Sequence, residues 1–234
     1  MCGRIVQTAV PHVLAEEFFL DAVPDLTPRW NVSPGGDIAT VLPGDGSRGN
    51  VVQLMLWGLA PAWLAGRPGG TQLINARSET VAEKPAFREA FRHRRCLIPV
   101  DGFYEWQKRE GGSQPFLFRR RDGRPFVLAG LWEPREQPGG RVFASCTILT
   151  TAANAVMRPI HHRMPAILPA AAWRSWLATP ATRAGELTAL LQPAPAELLH
   201  HHPVTPRVNR PEFDEPACVE PVWDDRGGQM NLFG

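Results

Sequence analysis

Hydrophobic positions along the chain gather in short runs rather than in long periodic stretches. Residues 38–42, 51–57, 96–100, 126–132 and 142–150 are apolar, β-branched runs of strand length, most of them bounded by Gly or Pro. Helical spacing is rarer and covers 13–20, 84–95, 170–177 and 181–191, the third opened by Pro169 and closed before Pro180. Strands and helices do not alternate, so the pattern predicts an α+β fold with a mostly antiparallel sheet, not a doubly wound parallel one. PGDGSRGN and REGGSQP read as hairpin turns or surface loops. No repeat is visible and no linker divides the chain, because Asp101, near its middle, lies between two strand candidates. Residues 1–223 therefore read as one domain, and DDRGGQMNLFG, 224–234, as a polar, Gly-rich tail.

The 234 residues carry 25 basic and 23 acidic side chains, a formal charge of +2, with 44% hydrophobic and 21% charged residues. That balance excludes a highly charged, tail-like protein and fits a chain able to bury a core. Only Lys84 and Lys108 among the basic residues are lysine, and the rest are arginine, whose planar fork suits phosphate and carboxylate. Arginine-favouring codons of a GC-rich genome account for the same bias. No apolar stretch reaches membrane-spanning length, and MCGRIVQTAVPH lacks the pattern of a signal peptide, so a cytoplasmic, membrane-free protein is expected. The cysteines, Cys2, Cys96, Cys146 and Cys218, form no C-x-x-C pair, which argues against a zinc site or a disulfide framework. Three of them sit in strand-like surroundings as core thiols, and Cys2 stands apart.

Removal of an initiator methionine before a small residue leaves Cys2 with a free α-amine beside its thiol. The amine, with an ordinary pKa of about 7.7 to 8.0, adds to an aldehyde to give an imine, and the thiol closes a thiazolidine ring on the same carbon. An internal cysteine lacks this chemistry. Taken alone, Cys2 reads first as a small residue that begins a buried strand. Further segments set polar residues in apolar context: RWNVSPG, WGLAPAW, INARSET, IPVDGFYEW and IHHRMPAIL. Unpaired, such groups cost about 1 to 3 kcal/mol each when buried, so they mark either a site or a satisfied network.

With the MCGR start and the closing PVTPRVNRP, these ordered motifs give a chain that resembles the SRAP (SOS response-associated peptidase) family, whose members shield abasic sites in single-stranded DNA. The resemblance runs from residue 1 to 211 and implies a strongly twisted, barrel-like β core with peripheral helices. It implies Cys2 as nucleophile, Asn75 of N-A-R-S-E, Glu105 of G-F-Y-E-W and His161 of H-x-R-M-P as its catalytic partners, with His162 at the x position. An abasic deoxyribose is mostly a closed hemiacetal, and a histidine suits the proton transfers that open it, the role expected of His161. Glu105, its pKa raised by burial against Phe103, Tyr104 and Trp106, would assist loss of water from the carbinolamine. Asn75 would orient the sugar or the amine. Read without the resemblance, Asn75 is also a turn cap and Glu105 also an arginine partner.

Arg4, Arg77 and Arg163 lie within two residues of these positions and are placed to hold phosphates. Trp106, with Trp57 and Trp63, offers stacking surfaces, while Trp30, Trp132 and Trp173 read as packing residues. Arg88, Arg92 and Arg95 would share a basic helix face, and 119–124 reads as a charged hairpin turn. His200, His201 and His202 alternate sides in an extended strand and predict no metal site, and no cofactor is implied. Gln229, Leu232 and Phe233 match the Q-x-x-L-F pattern of peptides that dock on the bacterial sliding clamp, set here on a Gly-rich tether. The leading expectation is a monomer that binds single-stranded DNA and crosslinks covalently to abasic sites, with lyase-like Schiff-base chemistry. The competing readings are a cysteine peptidase built on Cys2, Glu105 and His161, including one that removes its own Met1, and a non-covalent single-strand binding module.

Overall fold

In a computed structural model, residues 2–9, 11–18, 20, 22, 25–44, 49–60, 72–136, 142–180 and 183–222 are described. The proposed tail motif of Gln229, Leu232 and Phe233 lies outside them, as do Met1 and Trp63. The strands are β1 (Ile5–Gln7), β2 (Arg29–Val32), β3 (Asp37–Leu42), β4 (Val51–Trp57), β5 (Asn75–Arg77), β6 (Arg95–Val100), β7 (Gly102–Arg109), β8 (Gly112–Arg120), β9 (Phe126–Glu136), β10 (Val142–Ala152), β11 (Arg163–Pro165), β12 (Ile167–Leu168) and β13 (Leu199–Pro203). The helices are α1 (Pro11–Glu17), α2 (Arg88–His93), α3 (Ala170–Ala178) and α4 (Ala184–Ala189). All five apolar runs are strands, and the fold is α+β.

Strands β10, β4, β3, β6 and β9 are neighbours in that order, and β9 pairs again with β10, so the five close into a barrel. Among the described strands, β10 runs parallel to β4 and β5, and the other pairings are antiparallel. A second sheet, ordered β13-β8-β7-β1-β2, packs beside the barrel. Alternation along each strand divides the apolar residues into layers. Cys96, Ile98 and Val100 of β6 join Ile5, Phe103, Phe116 and Phe118 of the second sheet in one core. Leu97 faces the other way, toward Phe91 of α2, Trp176 of α3 and Leu187 of α4. Val6, Tyr104 and Leu117 cover the outer face of the second sheet with Val208, Phe213 and Cys218.

The β7–β8 hairpin turns on Glu110 and Gly111, closing at Arg109 opposite Gly112, and Gly111 has φ 81°, in the left-handed region a Cβ disfavours. The helical pattern over 84–95 is cut down to α2, and Arg95 opens β6 instead of extending a basic helix face. Its buried guanidinium donates to the carbonyls of Phe91, Arg92, Trp176 and Thr179 at 2.6–2.7 Å. Arg95 thus satisfies orphan carbonyls at the ends of α2 and α3, which outweighs any value as a surface charge. All four cysteines are buried and free, Cys2 among them, so position 2 does not differ from the others in exposure. No helix among the described residues is long and apolar enough to cross a membrane.

Candidate functional site

Strand alternation brings a carboxylate into an apolar layer. On β7, Phe103 joins the inter-sheet core and Tyr104 the outer one, so Glu105 returns to the inner side, where it is 3% exposed. Burial raises its carboxyl above the ordinary glutamate range. Cys2, just ahead of β1, is 0% exposed in the same core. Burial pushes the Cys2 thiol up, the nearby charge of Glu105 adds to the rise, and the Arg4 backbone amide bonded to the thiol works against it. The cysteine therefore rests as a neutral thiol beside a carboxyl of raised basicity.

β5 delivers the third group. It pairs in parallel with β10, Asn75 opposite Ile148, and Trp57 donates its indole N–H to the carbonyl of Ile74 at 3.0 Å, fixing the residue before it. Asn75 Nδ2 donates to the Cys2 carbonyl at 2.8 Å. Its Oδ1 is buried and has no hydrogen-bond partner among the described residues. An acceptor left open beside Cys2 can receive an ammonium or a hydroxyl.

His161 ends the turn that leads from β10 to β11. Asn154 shapes that turn, accepting from the Met157 amide at 3.0 Å and donating to Ala194 O at 3.0 Å, and the His161 amide donates to Met157 O at 3.0 Å. Met157, Ile160 and Met164 of the segment belong to the core that holds Cys2. His161 is half-buried and His162, stacked on it with ring centroids 4.5 Å apart, is exposed. His161 Nδ1 lies 3.0 Å from the Arg163 amide and 3.1 Å from the Arg163 carbonyl. Unprotonated, that nitrogen accepts from the amide, and protonated, it donates to the carbonyl, so both charge states find a partner. Burial holds the imidazole below its ordinary pKa, which favours the neutral, proton-accepting form at rest.

The groups expected to hold DNA are placed unequally. Arg77, at the end of β5, is exposed. Arg163 is paired with Glu79, its NH2 nitrogen reaching Oε2 at 2.9 Å and the Thr150 carbonyl at 2.6 Å. Trp106 is half-buried, and its indole N–H donates to Asn209 Oδ1 at 2.7 Å. Arg4 departs from the expectation of a phosphate contact: it is 9% exposed and donates to Asn31 Oδ1 at 3.0 Å, while Asn31 in turn donates to the Phe213 carbonyl at 2.7 Å. Trp57, 0% exposed, is a core residue and not a stacking surface. Trp30, Trp132 and Trp173 are half-buried against the cores.

Glu79, Asn209 and Gln107 belong to this region without having been singled out in the sequence. Gln107, on the Glu105 side of β7, donates to Pro159 O at 3.3 Å and ties the histidine turn to that strand. Glu79 closes the N-A-R-S-E motif and Asn209 stands in the V-N-R-P run, which were the available signals. In β13, His202 Nε2 lies 3.0 Å from the Val219 carbonyl and His201 packs on the rings of Phe116 and Phe118. No group of three or more His, Cys, Asp or Glu among the described residues is arranged to hold a metal ion.

Comparisons with known proteins agree with these motifs. The abasic site processing protein YoqW of Bacillus subtilis is 36% identical over 224 residues, 94% of this chain and 99% of its own length. The abasic site processing protein YedK of Escherichia coli is 31% identical over 230 residues, 95% of this chain and 100% of its own. A crystal structure of a Bacteroides thetaiotaomicron protein superposes with a TM-score of 0.84 at 24% identity, over 95% of this chain and 100% of that one, which speaks for the fold alone. The family model for SOS response associated peptidase matches residues 1–211, and the chain belongs to this SRAP family.

Proposed function

We propose that this protein binds single-stranded DNA at abasic sites and links itself to them covalently through Cys2. The observation that carries the reading is the meeting of a buried cysteine at position 2, a buried carboxyl of raised pKa whose charge acts on that thiol, and a half-buried asparagine that donates to the cysteine's own carbonyl. The names of its relatives, abasic site processing proteins, support the substrate class.

Loss of Met1 turns the Cys2 nitrogen from an amide into an amine. His161 exchanges protons with the hemiacetal and opens the abasic sugar to its aldehyde. The amine adds to the carbonyl carbon, and Glu105 gives a proton to the departing hydroxyl, so water leaves and an imine forms. The Cys2 sulfur then bonds to the imine carbon and its proton passes to the ring nitrogen, giving a thiazolidine with one water released overall. Asn75 Oδ1 holds the amine, and Arg77 and Arg163 take flanking phosphates, with Trp106 available to a neighbouring base. The same carboxyl and thiol also serve as base and nucleophile for removal of Met1 by the protein itself. The tail, through Gln229, Leu232 and Phe233, docks on a sliding clamp.

The test is a denaturing gel of protein confirmed to start at Cys2 with an oligonucleotide bearing one abasic site. A heat-stable shifted band, absent with Cys2→Ala, is expected, and its absence with the unaltered protein overturns the proposal. A Met1-bearing chain that remains unprocessed when made without methionine aminopeptidase sinks the self-processing step. Deleting the last six residues should abolish clamp binding measured by fluorescence anisotropy, and undiminished binding would remove the tail from the scheme.

A further inference from the structure

The Arg163 fork is already occupied. Its two terminal nitrogens meet the two carboxylate oxygens of Glu79, and NH2 also donates to the Thr150 carbonyl at 2.6 Å. A guanidinium bound in this way has its carboxylate-shaped edge filled, and a phosphate needs the same edge. The Arg163 side chain is 13% exposed and held by the end of β10, whereas the Glu79 side chain is 50% exposed. Of the two partners, the carboxylate is the one free to swing away. The arginine also holds Glu79 below the ordinary carboxylate range, so at neutral pH the competitor is charged.

We infer that Glu79 is an internal competitor for the DNA backbone: it occupies Arg163 in the free protein and yields its place to a phosphate when a strand docks. This rests on the proposed DNA binding and deepens it, because it assigns the exchange to one carboxylate. Docking then swaps one anion for another on a fixed cation, which lowers the affinity for strands in general. Glu79 becomes a determinant of selectivity: a strand that places a phosphate at the fork and also offers an aldehyde to Cys2 is retained by the covalent bond, while an intact strand is released.

The experiment measures binding of an intact, non-abasic single-stranded oligonucleotide by fluorescence anisotropy, using the full chain. Glu79→Gln keeps the size and removes the charge, and it should bind about three- to fivefold more tightly, the range set by an exposed ion pair. Its slope of log affinity against log salt should steepen by up to about 0.7, the share of one phosphate contact on a single strand, because in the unaltered protein exchange with Glu79 makes that contact only partial. Glu83→Gln, an exposed carboxylate four residues on, controls for bulk charge and should leave both quantities close to the parent. In an Arg163→Gln background the Glu79→Gln gain should vanish. A gain of equal size with Glu83→Gln, a gain that survives without Arg163, or weaker binding by Glu79→Gln overturns the inference. Abasic-strand crosslinking by the unaltered protein is run in parallel. Crosslinking without an Arg163-dependent gain refutes the competitor alone, and no binding or crosslinking at all refutes the proposed function with it.

Discussion

Glu105 is held where its own charge is unwelcome, and that has opposite consequences for activity and stability. Its carboxyl is raised by burial, so the folded chain binds a proton there at pH values where the unfolded chain has released it. Stability therefore falls as pH climbs through the interval between the unfolded value, about 4.3, and the raised folded one. Glu105→Gln removes this penalty. Thermal unfolding should show the variant more stable than the parent at neutral pH, with the gap closing below about pH 4, where both states carry the proton. Crosslinking should meanwhile slow by about a hundredfold or more, the usual effect of losing a positioned acid-base group. A variant that is less stable at neutral pH would contradict the assigned direction. At this scale the sequence was most informative for residues whose chemistry is unusual for their surroundings. Cys2, Asn75, Glu105 and His161 stand in motifs of polar residues among apolar ones, and Cys2, Glu105 and the His161 turn meet in one core layer. Glu79 stayed hidden because its meaning lies in Arg163, 84 residues away, and no local pattern reveals a partner at that distance.

Elements carry the next level of constraint, and β7 is the clearest case. Gly102, which opens the strand, faces the β8 backbone so closely that a Cβ there would lie 2.8 Å from the Phe118 carbonyl oxygen and 2.9 Å from Leu117 Cδ1. A backbone atom cannot step aside as a flexible side-chain tip can. Gly102→Ala should cost about 1 to 3 kcal/mol in urea unfolding, the range for overpacked sites. It should also slow crosslinking, since Glu105 lies three residues along the displaced strand. A substitution that leaves both quantities unchanged would mean the hairpin adjusts freely. Strands β3, β6, β9 and β10 of the barrel were legible because their faces are largely buried, which writes them as continuous apolar runs, and β4 kept such a run although Val51 and Leu54 are exposed. Arg29–Val32, Asn75–Arg77 and Gly112–Arg120 were not among those runs. Their polar residues do work that hydrophobic patterning does not register: Asn31 bonds the C-terminal segment and Asn75 bonds Cys2. Arg95 departs from its pattern for a related reason: its spacing from Arg88 and Arg92 fits a helix, while its guanidinium is bonded to carbonyls at the ends of two helices.

For the whole molecule the question is how a chain of net charge +2 would hold the polyanion proposed as its partner. Strong basicity is the usual footprint of nucleic-acid binding, and it is missing here. Arg4 is buried on Asn31 and Arg163 is neutralised by Glu79, which leaves Arg77 as the exposed arginine of the three. Reversible binding should accordingly be weak. With Arg77 making one full phosphate contact and Arg163 a partial one after exchange, the log–log salt slope for an intact strand should lie between about −0.7 and −1.4. Raising salt from 50 to 200 mM would then weaken binding by about threefold to sevenfold. A covalent bond obeys a different rule, because it does not dissociate when the encounter complex does. At subsaturating protein, the initial rate of crosslinking to an abasic strand should fall with salt by the same factor as the affinity, while the final yield at long times should be unchanged. Anisotropy on the intact strand and a timed denaturing gel on the abasic one measure the two quantities separately. A slope several times steeper would require a broad basic interface in place of two arginines, and a final yield that falls with salt would mean that durability comes from ionic contacts instead of from Cys2.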